Sequence, residues 1–238
     1  MLYKNIRFWV LLTSFTVSLL IYGWVKRNTL EDSSRTILLG QIYGLTSVGL
    51  LYVTLLAGPF CYNFPSFPWR TKYIRARRAL GVSAFFFGCL HAYQTFFKQL
   101  GGFGGLSFLS NRYLIAIACS ATALFIFALM ASTSFDRMIR LLNPRRWKRL
   151  HRFVYLGGIL IIVHALLVST HYSNLRSPIA VISFVLLSGL FLLEAKRVDA
   201  WFGRLFPGKL PSRIVFYLTV TALIAWAVFL LVGEGAKK

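Results

Sequence analysis

The apolar residues of this chain run in long stretches and do not alternate with polar ones. Seven mostly apolar stretches of roughly 18–22 residues recur, each about the length that crosses a bilayer core of about 30 Å. They fall at about 6–25, 36–58, 79–98, 113–132, 150–170, 178–194 and 213–232. The pattern predicts an all-α integral membrane protein, a helical bundle of about seven transmembrane helices forming one domain over residues 1–238. The polar connections between spans are short. They leave no room for a separately folded dinucleotide-binding, ATP-binding or protease domain.

Punctuation between the spans fits this reading. Gly101-Gly102-Phe103-Gly104-Gly105 reads as a flexible turn. It lacks the preceding strand and following Lys-Ser/Thr that a phosphate cradle needs. Phe64-Pro65-Ser66-Phe67-Pro68-Trp69 is a Pro-broken, aromatic connection suited to the membrane interface. Asn143-Pro144 ends any helix there and re-aims the chain before the fifth span. The basic start and apolar run of residues 1–25 resemble a signal peptide, but Gly23-Trp24-Val25-Lys26-Arg27 offers no small-x-small cleavage site, so this segment is expected to remain as the first span.

Composition changes the picture through charge. The 238 residues are 57% hydrophobic and carry 27 Lys and Arg against 6 Asp and Glu, a net charge of +21. Such a charge invites a nucleic-acid partner, but its distribution argues for none. With the spans placed as above, nineteen of the 27 basic residues fall on one side: Lys4, Arg7, Arg70–Arg78, Arg137–Arg152 and Lys196–Arg213. The positive-inside rule puts that side in the cytoplasm, with the N-terminus inside and the C-terminus outside. The acidic residues Glu31, Asp32, Asp136, Glu194, Asp199 and Glu234 are all expected at or beyond span ends. A carboxylate deep in a span, as an ion transporter usually carries, is thus not expected. Cys61, Cys89 and Cys119 follow no metal or redox spacing and read as small apolar residues.

Four histidines remain as candidate chemistry. His91 lies 13 residues beyond Arg78, and His164 lies 15 beyond Arg149. At 1.5 Å per residue both sit roughly 20 Å along helices that start on the same face. Two imidazoles at one depth can hold a haem iron from opposite sides, giving a six-coordinate b-type centre suited to electron transfer. The other reading is two structural histidines hydrogen-bonded across helices. His151 lies about 20 Å nearer the basic side, where the matching depth on the third span is held by Arg77 and Arg78, which do not ligate iron. His171 reads as a loop-side histidine.

Several segments together carry a family resemblance. Arg77-Arg78-Ala79-Leu80-Gly81 continuing to Leu90-His91 resembles the third-helix motif of ferric-reductase-like transmembrane domains. Arg146-Trp147-Lys148-Arg149-Leu150-His151-Arg152-Phe153-Val154-Tyr155-Leu156, continuing to His164, resembles their fifth-helix motif. Arg112-Tyr113 and Ser132-Thr133-Ser134 match at the two ends of the fourth span. The single histidine on the third span is similar to the MsrQ branch, haem-binding membrane subunits of periplasmic methionine-sulfoxide reductase systems. The chain departs from that branch by its last span, 213–232.

The resemblance implies a haem-binding core over about 36–194 in a bacterial cytoplasmic (inner) membrane. It implies His91, His164 and His151 as haem-associated residues, with one haem b or two. Arg77, Arg78 and Arg149, with Arg145 and Arg152, form a cationic rim that could pair with haem propionates or the phosphate of a flavin (FMN or FAD); the other reading of each arginine is plain positive-inside topology. Electrons would enter from a cytoplasmic flavin reductase or quinol. They would leave to an extracytoplasmic acceptor, a methionine-sulfoxide reductase or ferric iron. The rival expectation is a membrane transporter or assembly factor without haem.

Overall fold

The computed structural model describes residues 2–168, 177–207 and 213–233. Among the described residues the chain is helical and contains no strand. The elements are α1 (Leu2–Asn28), α2 (Asp32–Asn63), α3 (Arg70–Ala92), a π-helical segment (Tyr93–Gln99), a 3-10 helix (Gly102–Phe108), α4 (Asn111–Ser132), α5 (Asp136–Leu142), α6 (Pro144–His151), α7 (Val154–Val168), α8 (Pro178–Leu205) and α9 (Ile214–Gly233). Among the described residues, six helical stretches are long and apolar enough to span a membrane, and α9 contributes a shorter apolar run, Ile214–Ala227. This is an all-α, multi-pass membrane protein. Large apolar side chains such as Phe15, Leu20, Phe125 and Ile159 face outward, as lipid-facing positions require.

The helices outrun the apolar stretches that announce them. α2 covers 32–63 where apolarity alone marks 36–58, and α3 starts at Arg70, well before 79. α8 runs to Leu205, past an expected end at residue 194, and carries Glu194 inside the helix, paired with Arg197 at 3.1 Å. The expectation that Glu194 and Asp199 lie at or beyond a span end therefore needs correcting: both lie within α8. Hydrogen bonding inside a helix continues into the headgroup region, so polarity ends the apolar run without ending the helix. The glycine-rich turn is also more ordered than expected. Gly101 and Gly102 take left-handed φ values of 77° and 73°, then Gly102–Phe108 winds as a 3-10 helix. The break at Asn143-Pro144 is present. Asn143 has φ 65°, its side chain accepts from the Arg145 N–H, and Pro144 opens α6 where no N–H is missed.

The fifth span is not one helix. Arg152 and Phe153 close 3-10 turns onto Arg149 and Leu150, separating α6 from α7. Counting residues along one continuous helix from His151 to His164 is thus not valid.

Contacts divide the chain into two compact units. The first comprises residues 1–54 and 71–169. Small polar side chains tie its helices together. Ser14 donates to Ser83 at 2.8 Å, joining α1 to α3; Tyr43 donates to the Ser18 carbonyl at 3.2 Å, joining α2 to α1; Ser47 donates to the Ala84 carbonyl at 2.8 Å, joining α2 to α3. Each such bond contributes about 0.6 kcal/mol between membrane helices. Val25, Leu39, Tyr43 and Phe87 form the buried centre. α4 and α7 approach closely at Gly157, where a Cβ would stand 2.5 Å from the Phe127 ring.

The second unit comprises residues 55–70 and 170–238. Phe60 packs against Phe64 and Phe67 with centroids 4.9 and 5.3 Å apart, folding the Pro-broken connection. Asn63 donates to the Leu193 carbonyl at 3.1 Å. Asp199 of α8 accepts from the first N–H groups of α9, Val215 and Phe216, at 2.8 and 2.9 Å. That carboxylate satisfies donors the helix leaves open and complements its dipole.

Candidate functional site

All three span histidines lie in the first unit. His91 is the penultimate residue of α3, with Ala92 between it and the π-helical segment. Its ring rests against α2, where Nδ1 donates to the Gly40 carbonyl at 2.8 Å. Gly44, one turn along α2, makes that approach possible: a Cβ there would stand 2.9 Å from His91 Nδ1. Thr95 donates from its hydroxyl to the His91 carbonyl at 2.9 Å, holding the helix end where the hydrogen-bond register changes.

His164 repeats the arrangement on the other side. It sits on α7 and donates from Nδ1 to the carbonyl of Ala116, a fully buried residue of α4, at 2.9 Å. The His91 and His164 ring centroids are 6.4 Å apart with their planes at 81°. Depth counting thus brought together two residues that are neighbours in space.

This geometry has a chemical meaning. Nδ1 donation to a carbonyl fixes the tautomer that leaves the Nε2 lone pair for a metal. Two imidazoles on opposite sides of one ion, each bonded at about 2 Å with the ring centre about 1.1 Å beyond the nitrogen, put the centroids about 6 Å apart. The observed spacing fits. Among the described residues no group of three or more His, Cys, Asp or Glu gathers to hold an ion. Two histidines do not complete the four ligands a bare zinc takes. They do complete an iron whose other four ligands come from a porphyrin.

His151 is held differently. Its Nε2 lies 3.1 Å from the Thr133 hydroxyl, and its ring stacks on Trp147 at 4.0 Å and 30°. Trp147 in turn donates to the Thr133 carbonyl at 2.9 Å. The Thr133 hydroxyl also lies 2.8 Å from the Leu129 carbonyl, to which it donates. Arg77 is the charged neighbour of His151. Arg78 is drawn elsewhere, to Asp136 at 2.9 Å, a carboxylate it shares with Arg7 at 3.0 Å. Arg149 is exposed and lines a groove with Arg146 and Arg152. Arg145 is exposed at the start of α6. His171 lies outside the described residues.

Sequence reasoning missed Gly40, Gly44 and Ala116, which set the two rings. Gly40-Gln41-Ile42-Tyr43-Gly44 did carry a signal, the small-xxx-small spacing that lets a neighbour approach a membrane helix closely. Ala116 carried none, because its contribution is a main-chain oxygen.

The family described as ferric reductase like transmembrane component matches residues 43–162, half of the chain. The chain belongs to this family. The match includes Gly44, His91 and His151 and stops two residues before His164. Among similar proteins, a protein-methionine-sulfoxide reductase heme-binding subunit MsrQ of Azospira oryzae is 30% identical over 160 residues, covering 66% of this chain and 65% of that protein. The MsrQ of Ralstonia nicotianae is 32% identical over 165 residues, covering 67% of this chain and 70% of that protein. The magnetosome protein MamZ of Magnetospirillum gryphiswaldense is 35% identical over 97 residues, which cover 40% of this chain and only 15% of that longer protein. The chain thus spans about two thirds of the length of these MsrQ relatives. No solved structure matches it.

Proposed function

We propose that this member of the ferric-reductase-like family is a b-type haem protein that carries electrons across the bacterial cytoplasmic membrane. The observation that carries the reading is the facing pair His91 and His164, 6.4 Å apart with both Nδ1 atoms donating to helix carbonyls. The haem-binding MsrQ relatives support it. His91 and His164 would hold the haem iron through their Nε2 atoms, and the haem would supply one-electron transfer there.

The chain's own residues do the rest. Gly40 and Ala116 fix ring orientation and tautomer, and their carbonyls strengthen each imidazole as a donor. Gly44 keeps the space beside His91 clear. We propose one haem per chain. His151 ends α6, on the far side of the α6–α7 break from His164, and its Nε2 is engaged by Thr133. With Arg77 it forms the polar group that a second haem, or an incoming donor, would meet at the basic end.

That end faces the cytoplasm, placing the N-terminus inside and the C-terminus outside. The donor is a cytoplasmic flavin reductase or quinol, and any flavin arrives with it. The acceptor is extracytoplasmic: a methionine-sulfoxide reductase, as the names of the relatives suggest, or ferric iron. The organic chemistry belongs to those partners.

A dithionite-reduced minus oxidised spectrum of detergent-purified protein, with haem quantified per chain, tests the reading. One b-type haem per chain is expected. A colourless protein made under ample haem supply overturns it and leaves a haem-free transporter or assembly factor.

A further inference from the structure

At the start of the fifth span a second feature stands apart from the histidine pair. Arg146, Arg149, Leu150, Arg152, Phe153 and Leu156 line an open groove of about 690 Å³. The three arginines follow each other at three-residue steps through α6 into the turn before α7, so their side chains form one row. Among the described residues none of the three is paired with a carboxylate, whereas Arg7, Arg35, Arg78 and Arg197 each are. The remaining lining is apolar, with Phe153 52% and Leu156 45% exposed. These apolar positions continue into α7, the membrane-spanning part of the segment.

We propose that this groove binds one anionic diacyl phospholipid, its phosphate held by Arg146, Arg149 and Arg152 and an acyl chain laid along Leu150, Phe153 and Leu156. Each half of the lining matches one half of such a molecule. Guanidinium groups bind phosphate through forked hydrogen bonds, and basic pockets at the membrane surface take lipid headgroups. A general basic surface would explain the arginines but not the apolar wall beside them. A nucleotide would want hydroxyl, amide or carboxylate partners for its sugar and ring, and the lining offers none.

The test uses the full chain in nanodiscs of phosphatidylcholine with a minor fraction of phosphatidylglycerol, which gives the bilayer an anionic surface. Native mass spectrometry after gentle extraction counts retained lipid. The expected result is one phosphatidylglycerol retained per chain, lost at least tenfold in the triple variant R146Q/R149Q/R152Q. The control triple R137Q/R140Q/K148Q removes the same charge from exposed positions outside the groove and is expected to retain the lipid. Equal loss in both triples overturns the proposal in favour of unspecific surface attraction. Displacement of the lipid by micromolar FMN overturns it in favour of a nucleotide site. Retention of short-chain dihexanoyl phosphatidylglycerol as strongly as the long-chain lipid overturns the role of the apolar wall. Both triples are first shown to be monodisperse and to keep the parent helical content; a groove triple that fails this is replaced by R149Q/R152Q, read in the same way.

Discussion

Two histidine environments in the first unit differ in which nitrogen the protein takes. His91 and His164 are bound through Nδ1 to main-chain carbonyls of neighbouring helices. His151 is bound through Nε2 to the side chain of Thr133 and stacked on Trp147. A carbonyl accepts and never donates, so the first pair has one tautomer and a committed Nε2 lone pair. The third ring has its outer nitrogen occupied by a hydroxyl that is itself anchored to Leu129. Position in a span does not separate these cases. The second hydrogen bond does.

The largest expected effect is loss of the pair. Exchange of His91 or His164 for Ala, singly, is expected to lower haem per chain more than tenfold while the protein still inserts, read by pyridine haemochrome against protein concentration. Retained haem in either variant would remove that residue as a ligand. The same assay on His151→Ala is expected to show haem within error of the parent. A drop of one haem from a parent carrying two would mean that Thr133 releases His151 to a second iron.

A smaller effect is expected at Gly44. Its missing Cβ would stand 2.9 Å from His91 Nδ1, whereas nothing lies within 4 Å of a Cβ at Gly49 on the same helix. Gly44→Ala is expected to lower haem retention several-fold or shift the midpoint potential in a redox titration. Gly49→Ala is expected to leave both unchanged and, by helix propensity, to stabilise by up to about 1 kcal/mol. Equal behaviour of the two variants would show that Gly44 does not set the ring.

The smallest effect belongs to the basic end. Asp136 serves Arg7 and Arg78 together, but it is 59% exposed. Asp136→Asn is expected to cost about 1 kcal/mol or less, seen as a shift of a few degrees in thermal unfolding with haem content unchanged. Coupled loss of haem would tie that cluster to the site after all.

Much of this comparison was legible in the sequence, for identifiable reasons. Span positions follow from apolar length because the bilayer imposes it. The fixed rise of a helix pointed to His91 and His164 as a pair, although the count to His164 crosses the α6–α7 break. The break at Asn143-Pro144 follows from local backbone chemistry. Helix facing did not follow, since it depends on packing between segments far apart in the chain. The α6–α7 break at Arg152 and Phe153 has no Pro or Gly to announce it. The helix ends at Arg70 and Leu205 lie where polarity and helicity part company. Gly40 and Ala116 act through main-chain oxygens, which every residue type possesses.

The π-helical segment Tyr93–Gln99 begins two residues after His91 and closes with the Leu100 N–H on the Thr95 carbonyl at 3.0 Å. A π turn houses more residues than an α turn for the same advance. That wider coil parts the helix that carries His91 from the connection after Leu100, so a different loop grafted beyond Leu100 is expected to leave the His91–Gly40 hydrogen bond in place.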